Sequence, residues 1–225
     1  MRYYPISLDI KNRDCLVVGG GSVGSRKVAT LLDCGARVTV VSPQFSEPLR
    51  RLAAKHAVRL IERPYESSDL QDMFLVIGAT DDQQLNQRVS ADASEHDMLC
   101  NIADRPAAGN FILPAIVNRG DLTITVSTSG KSPAMAKRIR QHLSKQFGSE
   151  YGQCLVLMGK IRKALLSQAH APEAHKTLFE QLIDAGILDM LREQQIAAVD
   201  NLLQDVLGER FTYSRLMSPE GFTHN

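Results

Sequence analysis

The sequence predicts an α/β protein in which a parallel sheet is followed by a small α+β unit and then by a helical domain. Three observations support this prediction. Short apolar runs alternate with helical patterns over residues 15–102, two extended runs follow within residues 110–127, and residues 151–207 show helical patterns alone. Strands that alternate with helices favour right-handed crossovers and a parallel sheet. We place the three parts at residues 1–113, 114–148 and 149–225.

Five strands and three helices are predicted in the first part. The strands fall at residues 15–18, 37–41, 58–61, 73–79 and 98–102, and the helices at residues 22–34, 46–56 and 82–96. Ser46 is a good candidate to cap the second helix. The link between the third and fourth strands has the minimum length for a crossover. We therefore expect a short helical turn at residues 67–71.

The pattern changes after residue 104. Residues 110–116 and 122–127 are extended runs on either side of Asn118-Arg119-Gly120-Asp121, which predicts a hairpin. Pro133 suits the first turn of a helix that runs to about residue 147. The later helices are broken near Pro172 and Gly186, and the polar tail at residues 214–225 is expected to fray.

Composition argues against several classes of protein. The 225 residues carry a net charge of +1, so no overall field favours nucleic acid or an anionic membrane. No apolar run suits a signal peptide or approaches the roughly 20 residues that span a bilayer. The cysteines form no C-x-x-C pair, and we expect reduced thiols and a cytoplasmic protein. They are Cys15, Cys34, Cys100 and Cys154.

The glycine-rich run Gly19-Gly20-Gly21-Ser22-Val23-Gly24 fits G-x-G-x-x-G between a predicted strand and a predicted helix. In that context Gly19 permits the tight turn, Gly21 lets the backbone approach a diphosphate, and Gly24 lets helix and strand pack closely. The helix N-terminus then offers N–H groups and partial positive charge to phosphate. The run predicts a Rossmann-type dinucleotide site, and the alternative is a strand–helix turn without a ligand.

The ends of two other strands supply further cofactor candidates. An acidic residue usually ends the second strand to hold ribose, but Ser42-Pro43-Gln44 stands there. Since no arginine sits at the end of the second strand to hold a 2′-phosphate, NAD is favoured over NADP. Thr80 and Asp81 follow the fourth strand and are candidates for the nicotinamide-side ribose. Asp81 has an alternative role as the N-cap of the next helix.

Asp104 follows the fifth strand and is the candidate acid–base residue. At the carboxyl edge of the sheet, a carboxylate could take a proton while hydride leaves to the cofactor. The alternative is an Asx turn before Pro106. No metal site is expected, because Pro172 interrupts any helix that would align His170 with His175.

A basic strip follows the hairpin. No acidic residue lies between Asp121 and Glu150, and Lys137 and Arg140 share one helix face with i, i+3 spacing. With Lys131, these side chains suit a substrate with many carboxylates, and the alternative is a solvated helix face.

These motifs together resemble the bacterial precorrin-2 dehydrogenases and the N-terminal module of sirohaem synthases. The Ser-Thr-x-Gly-x-Ser-Pro run and the Asn-x-x-Asp-x-Pro loop are the most specific of them. The helical C-terminal part matches only in length and character. The matching stretches are residues 4–6, 15–24 with Arg26-Lys27, 35–40, 79–82, 86–89, 101–106, 111–115, 119–122 and 127–133.

The resemblance implies an NAD-dependent enzyme that oxidises precorrin-2 to sirohydrochlorin on the route to sirohaem. It implies a homodimer held together by the middle unit, with Asp104 as the key acid–base residue. It also implies cofactor contacts at Ser22-Val23 and Pro43-Gln44, and an octacarboxylate tetrapyrrole as substrate. Arg105 and Thr128 join Lys131, Lys137 and Arg140 as substrate-binding candidates, although some family members have serine where this chain has Thr128.

Two other functions stay open at this point. Some family members also insert ferrous iron into sirohydrochlorin, with Asp104 and His142 as the candidate proton acceptors in this chain. The second alternative is a protein that is not an enzyme and that senses NAD or a tetrapyrrole without turnover. The glycine turn does not separate these functions, whereas the Asp104 loop and the basic strip favour an enzyme.

Overall fold

The computed structural model describes residues 2–167 and 172–218. The chain divides into two compact units. The first reaches to Leu113 and includes Ser129–Lys131, and the second comprises Pro114–Thr128 and the chain from Ser132 onward. The division into three parts at residues 113 and 148 stays a prediction.

The first unit is built on a five-stranded parallel sheet with the order β3-β2-β1-β4-β5. From β1 the chain adds β2 and β3 on one side, then β4 and β5 on the other, so the strand order reverses between β1 and β4. Ligands in open α/β sheets bind beyond the carboxyl ends of the strands at such a point. The strands are β1 Asp14–Val18, β2 Arg37–Val41, β3 Val58–Ile61, β4 Leu75–Gly78 and β5 Leu99–Ile102.

Both faces of this sheet are covered. Cys15 and Val17 of β1 point into one apolar cluster, while Leu16 and Val18 point into another, as the two-residue period of a strand requires. Burial on both faces explains why β1 and β4 are nearly continuous apolar runs. The connecting elements are the helices α1 Ser22–Asp33, α2 Glu47–Lys55 and α3 Gln83–Glu95, and the 3-10 turns Ser67–Leu70 and Pro106–Ala108.

The second unit combines an antiparallel hairpin with helices. Strands β6 Ala115–Arg119 and β7 Leu122–Val126 pair around Gly120, whose φ is +69°. Its helical core contains the buried side chains of Leu157, Leu182 and Leu203. The helices are α4 Pro133–Gln146, α5 Ser149–Leu166, α6 Pro172–Asp184, α7 Ile187–Arg192, α8 Ile196–Leu207 and α9 Tyr213–Met217.

The predicted fold class is confirmed, and three details are wrong. Ser46 occupies the N-cap of α2, but its side chain makes no cap bond and its Oγ lies 2.9 Å from Ser25 Oγ. Residues 110–114 are not strand, because the Asn110 side chain accepts from Cys100 N–H and donates to the Met98 carbonyl beside β5. Residues 213–217 form α9, with Leu216 buried, while the tail at residues 219–225 lies outside the described residues.

The described helices include none that is long and apolar enough to cross a membrane.

Candidate active site

The turn between β1 and α1 is shaped by close backbone contacts. Gly19 has φ +119°, and a Cβ there would lie 2.4 Å from the Ala79 carbonyl oxygen. A Cβ on Gly20 would lie 2.1 Å from the Gln44 carbonyl oxygen, and one on Gly24 would lie 2.1 Å from the carbonyl oxygen of Gly19. These three positions therefore require glycine, because a backbone carbonyl oxygen occupies the place of a Cβ atom at each of them.

Gly21 is different, because a Cβ there would meet no atom within 4 Å. It is the N-cap of α1, and the first turn of α1 contains no acidic residue. The first N–H groups of a helix lack partners within it and favour an anion. The open space, the N–H groups and the helix dipole fit the diphosphate of a dinucleotide.

A cleft of about 370 Å³ lies beyond the carboxyl ends of β1, β2 and β4. Gly24 and Gln44 do not line it, because Gly24 faces Gly19 and the Gln44 carbonyl faces Gly20. The structure thus brings most of the predicted cofactor residues together. Those that line the cleft are Gly19, Gly21, Ser22, Val23, Ser42, Pro43, Thr80 and Asp81.

Hydrogen bonds fix the segment after β4. Thr80 Oγ1 donates to the Asp82 carbonyl at 3.0 Å, and Asn86 Nδ2 donates to the Thr80 carbonyl at 2.9 Å. The N-cap of α3 is Asp82, which accepts from the backbone of Gln84 and Leu85, so Asp81 does not have the capping role. Asp81 is exposed and lines the cleft.

Tyr65 also lines the cleft, and sequence reasoning missed it. Its side chain is buried, and its hydroxyl donates to Asp92 Oδ2 at 2.9 Å. Burial and this hydrogen bond raise the pKa of the Tyr65 hydroxyl. Tyr65 comes between β3 and β4, and its place in the cleft depends on the strand order, which its local sequence does not indicate.

Asp104 lies in the loop after β5 and is exposed. The loop is anchored on either side, because Ala103 N–H donates to the Gly78 carbonyl at 2.9 Å and the Arg105 side chain donates to Gln83. Within residues 2–167 and 172–218, no hydrogen bond reaches the Asp104 carboxylate, so the Asx turn does not form there. The carboxylate acts electrostatically on Lys27 of α1.

The substrate-binding candidates are divided between the two units. Arg105 and Lys131 belong to the first, and Thr128, Lys137 and Arg140 to the second. Thr128 Oγ1 donates to the Ser132 carbonyl and accepts from Ser132 N–H, which closes the turn before α4. In the described part of the chain, no carboxylate lies within 4.0 Å of the Lys131, Lys137 or Arg140 side chains.

A metal site is not formed by the described residues, which contain no group of three or more His, Cys, Asp and Glu side chains suited to hold an ion. His175 is buried in α6, and His170 lies outside the described residues.

Comparison with known proteins identifies the family. A model for NAD(P)-binding domains matches residues 6–115, and one for the central part of sirohaem biosynthesis proteins matches residues 119–146. The solved structure of SirC, precorrin-2 dehydrogenase, has a TM-score of 0.76 and 30% identity, and the match covers 91% of this chain and 98% of that one. The chain belongs to the precorrin-2 dehydrogenase family.

Siroheme synthases are similar over nearly the whole of this chain. Those of Escherichia coli and Shigella flexneri are 34% identical over 210 residues, or 93% of the chain. The match covers 46% of each siroheme synthase, so this chain spans about half the length of these relatives. The two segments of this chain that match the family models, residues 6–115 and 119–146, are separated by three residues.

Proposed function

We propose that this protein is an NAD-dependent dehydrogenase that oxidises precorrin-2 to sirohydrochlorin in sirohaem biosynthesis. The observation that carries the proposal is the similarity to SirC, which extends over 98% of that precorrin-2 dehydrogenase. The cleft at the carboxyl ends of β1 and β4 gives this similarity a chemical basis, because its shape and polarity suit a dinucleotide.

The cofactor would be held mainly by backbone. Gly21, Ser22 and Val23 present the N-terminus of α1 to the diphosphate, and Ser42 offers a hydroxyl at the end of β2. Asp81 and Thr80 line the cleft on the side of β4. No arginine or lysine is among the lining residues, which favours NAD over NADP because a 2′-phosphate would lack a cationic partner. When bound, NAD⁺ accepts the hydride that the substrate loses.

Asp104 is the proposed proton acceptor. Desaturation of the macrocycle releases a proton together with the hydride, and a carboxylate without a hydrogen-bond partner is ready to take it. Asp104 is exposed, and its loop is tied to β4 through the Ala103–Gly78 hydrogen bond. The carboxylate is therefore both accessible and positioned by the sheet.

A polycarboxylate substrate needs cations. Lys131, Lys137 and Arg140 supply them, since each is without a carboxylate partner in the described structure. Lys137 and Arg140 lie on α4, with Lys137 exposed and Arg140 partly exposed. Guanidinium and ammonium groups bind carboxylates through charge-assisted hydrogen bonds.

A homodimer is part of the proposal, with residues 114–148 as the contact region. A two-stranded sheet is marginally stable alone, and β6–β7 exposes Ile116. The exposed side chains of Met135 and Ile139 on α4 add apolar surface in the same segment. A cytoplasmic location is also proposed, because all four cysteines are free thiols.

The test is anaerobic incubation of the protein with precorrin-2 and NAD⁺. We expect NADH and sirohydrochlorin to appear together, and neither to form when NAD⁺ is omitted. Tight binding of NAD⁺ and tetrapyrrole without NADH would instead indicate a sensor. A parallel reaction with sirohydrochlorin and ferrous iron but no NAD⁺ would reveal iron insertion.

A further inference from the structure

Lys27 is a cation on α1 to which the proposed mechanism gives no role. It lies on α1 four residues after Val23, which lines the cleft. Residues at i and i+4 are neighbours on one helix face. Gly24, Ser25 and Val28 around it are buried, and Lys27 itself is half-buried.

The Lys27 ammonium forms no salt bridge in the part of the chain that the structure describes. Within residues 2–167 and 172–218, no carboxylate lies within 4.0 Å of it. Burial lowers the pKa of the Lys27 ammonium, the charge of Arg26 lowers it further, and the charge of Asp104 raises it. A partly desolvated ammonium without a partner gains more from an arriving anion than an ammonium in bulk water does.

Asp104 and Lys27 each stand next to a residue of the same apolar cluster. The side chain of Ala103, directly before Asp104, packs against the apolar cluster that contains Val28, directly after Lys27. The same cluster includes Val23. The loop after β5 and the second turn of α1 therefore border one apolar cluster, and the charge of Asp104 acts on the Lys27 ammonium.

This arrangement answers an electrostatic problem in the proposed reaction. A substrate with many carboxylates is repelled by a catalytic carboxylate unless a cation lies beside it. Lys27 is a cation on which the charge of Asp104 acts. Lys27 also lies five residues beyond Ser22, or about 7.5 Å along the helix axis, and so beyond the N–H groups that face a diphosphate.

We propose that Lys27 binds a carboxylate of the tetrapyrrole beside Asp104 and so allows the polyanionic substrate to approach the proton acceptor. Lys27 is thus a substrate-binding residue in the first unit, distinct from the cations of α4. The inference rests on the proposed function for the identity of the tetrapyrrole.

The experiment compares four full-length variants with the wild type, three single variants and one double variant. Lys27→Met removes the charge but keeps a long apolar stem, and Lys27→Arg keeps the charge. Arg26→Met is the matched control, because Arg26 is the adjacent residue and is exposed. The dissociation constant of sirohydrochlorin is measured anaerobically by fluorescence quenching, and that of NAD⁺ by calorimetry.

We expect Lys27→Met to weaken sirohydrochlorin binding by about tenfold or more, as loss of a charge-assisted hydrogen bond predicts. Lys27→Arg should recover most of that affinity, and Arg26→Met should stay within about threefold of wild type. NAD⁺ binding should be unchanged in the three single variants. Adding Asp104→Asn to Lys27→Met should restore part of the lost affinity, because the repulsion that Lys27 offsets is then removed.

Three results with the variants would overturn the inference. One is unchanged sirohydrochlorin affinity in Lys27→Met, and another is an equal loss of NAD⁺ affinity, which would place Lys27 on the cofactor or in the fold. The third is no recovery in the double variant. Failure of the proposed function is separate: wild-type protein that binds sirohydrochlorin but forms no NADH would refute dehydrogenation and leave the Lys27 comparison intact. Wild-type protein that does not bind sirohydrochlorin refutes the Lys27 inference.

Discussion

A Cβ atom at position 24 would lie 2.1 Å from the carbonyl oxygen of Gly19, so these two glycines hold the first helix against the first strand. The Gly19 carbonyl oxygen is a backbone atom, so it cannot move away from an added Cβ without shifting the turn. We predict that Gly24→Ala lowers the free energy of unfolding by about 1–3 kcal/mol, the usual cost of overpacking. Urea unfolding followed by circular dichroism measures this, and wild-type stability would contradict the proposed packing.

Gly21→Ala is the matched control and should separate stability from binding. Gly21 has φ −78°, which alanine also adopts, and a Cβ there meets open space. Stability should therefore stay within about 0.5 kcal/mol of wild type. The methyl group would occupy the approach of the diphosphate, and NAD⁺ affinity by calorimetry should fall by about tenfold or more. Unchanged affinity would mean that the diphosphate binds elsewhere.

Glu150 at the start of α5 should stabilise the second unit in a pH-dependent way. Burial raises the pKa of its carboxyl, but hydrogen bonds from its own backbone amide and from Arg192, at 3.1 Å, hold the pKa below its usual value. The native state then binds fewer protons than the unfolded state near the ordinary glutamate pKa. The stabilisation is present above that pKa and is lost as the pH falls through the lower native value.

Glu150→Gln should therefore lower the free energy of unfolding by about 1 kcal/mol at pH 7 and by less at pH 3. Urea titrations at the two pH values measure the difference. The control is Glu47→Gln, which removes an exposed i, i+4 pair with Arg51 and should change stability little. An equal loss of unfolding free energy at both pH values would show that the charge of Glu150 does not contribute to stability.

Tyr65 should make the protein sensitive to alkali. Because its pKa is raised, the native state keeps the hydroxyl proton at pH values where an unfolded tyrosine, with a pKa near 10, loses it. This stabilisation is complete below about pH 10 and is lost as the pH rises further. Tyr65→Phe should lower the free energy of unfolding by about 1 kcal/mol at pH 7, and its difference from wild type should narrow above pH 10.

Urea unfolding at pH 7 and pH 10.5 checks the Tyr65 prediction. NAD⁺ affinity should change little, because phenylalanine keeps the ring that lines the cleft. A stability difference between Tyr65→Phe and wild type that widens at high pH would contradict the raised pKa of the Tyr65 hydroxyl.

The sequence predicted the strands well where a short apolar run stands between polar turns. Residues 37–41 and 58–61 are strands with the predicted bounds, because they are short β-branched or apolar runs between polar turns. The N-cap residue of α3 was harder to predict, since Asp81 and Asp82 are adjacent and either residue suits the position. The bonds that the Asp82 carboxylate accepts from the Gln84 and Leu85 backbone settle it in favour of Asp82.

Side-chain contacts between residues that are far apart in the sequence could not be predicted from the sequence. Ser46 pairs with Ser25, 21 residues earlier, only because α1 and the start of α2 pack together. The glycine turn places most of the predicted cofactor residues along one cleft, whereas Tyr65 reaches that cleft through the strand order. The sequence did indicate that Lys27 lies on the same helix face as Val23, because the two residues have i, i+4 spacing.

The most direct test of the proposed dehydrogenation is anaerobic turnover of precorrin-2 by wild type and by Asp104→Asn. Wild type should form NADH and sirohydrochlorin in equal amounts, and Asp104→Asn should bind NAD⁺ normally yet react about 10²–10⁴-fold more slowly, as loss of a general base predicts. Circular dichroism of the variant confirms that its fold is intact. A near-wild-type rate in Asp104→Asn would refute the proton acceptor, and wild-type protein that forms no NADH from precorrin-2 would contradict the proposed function itself.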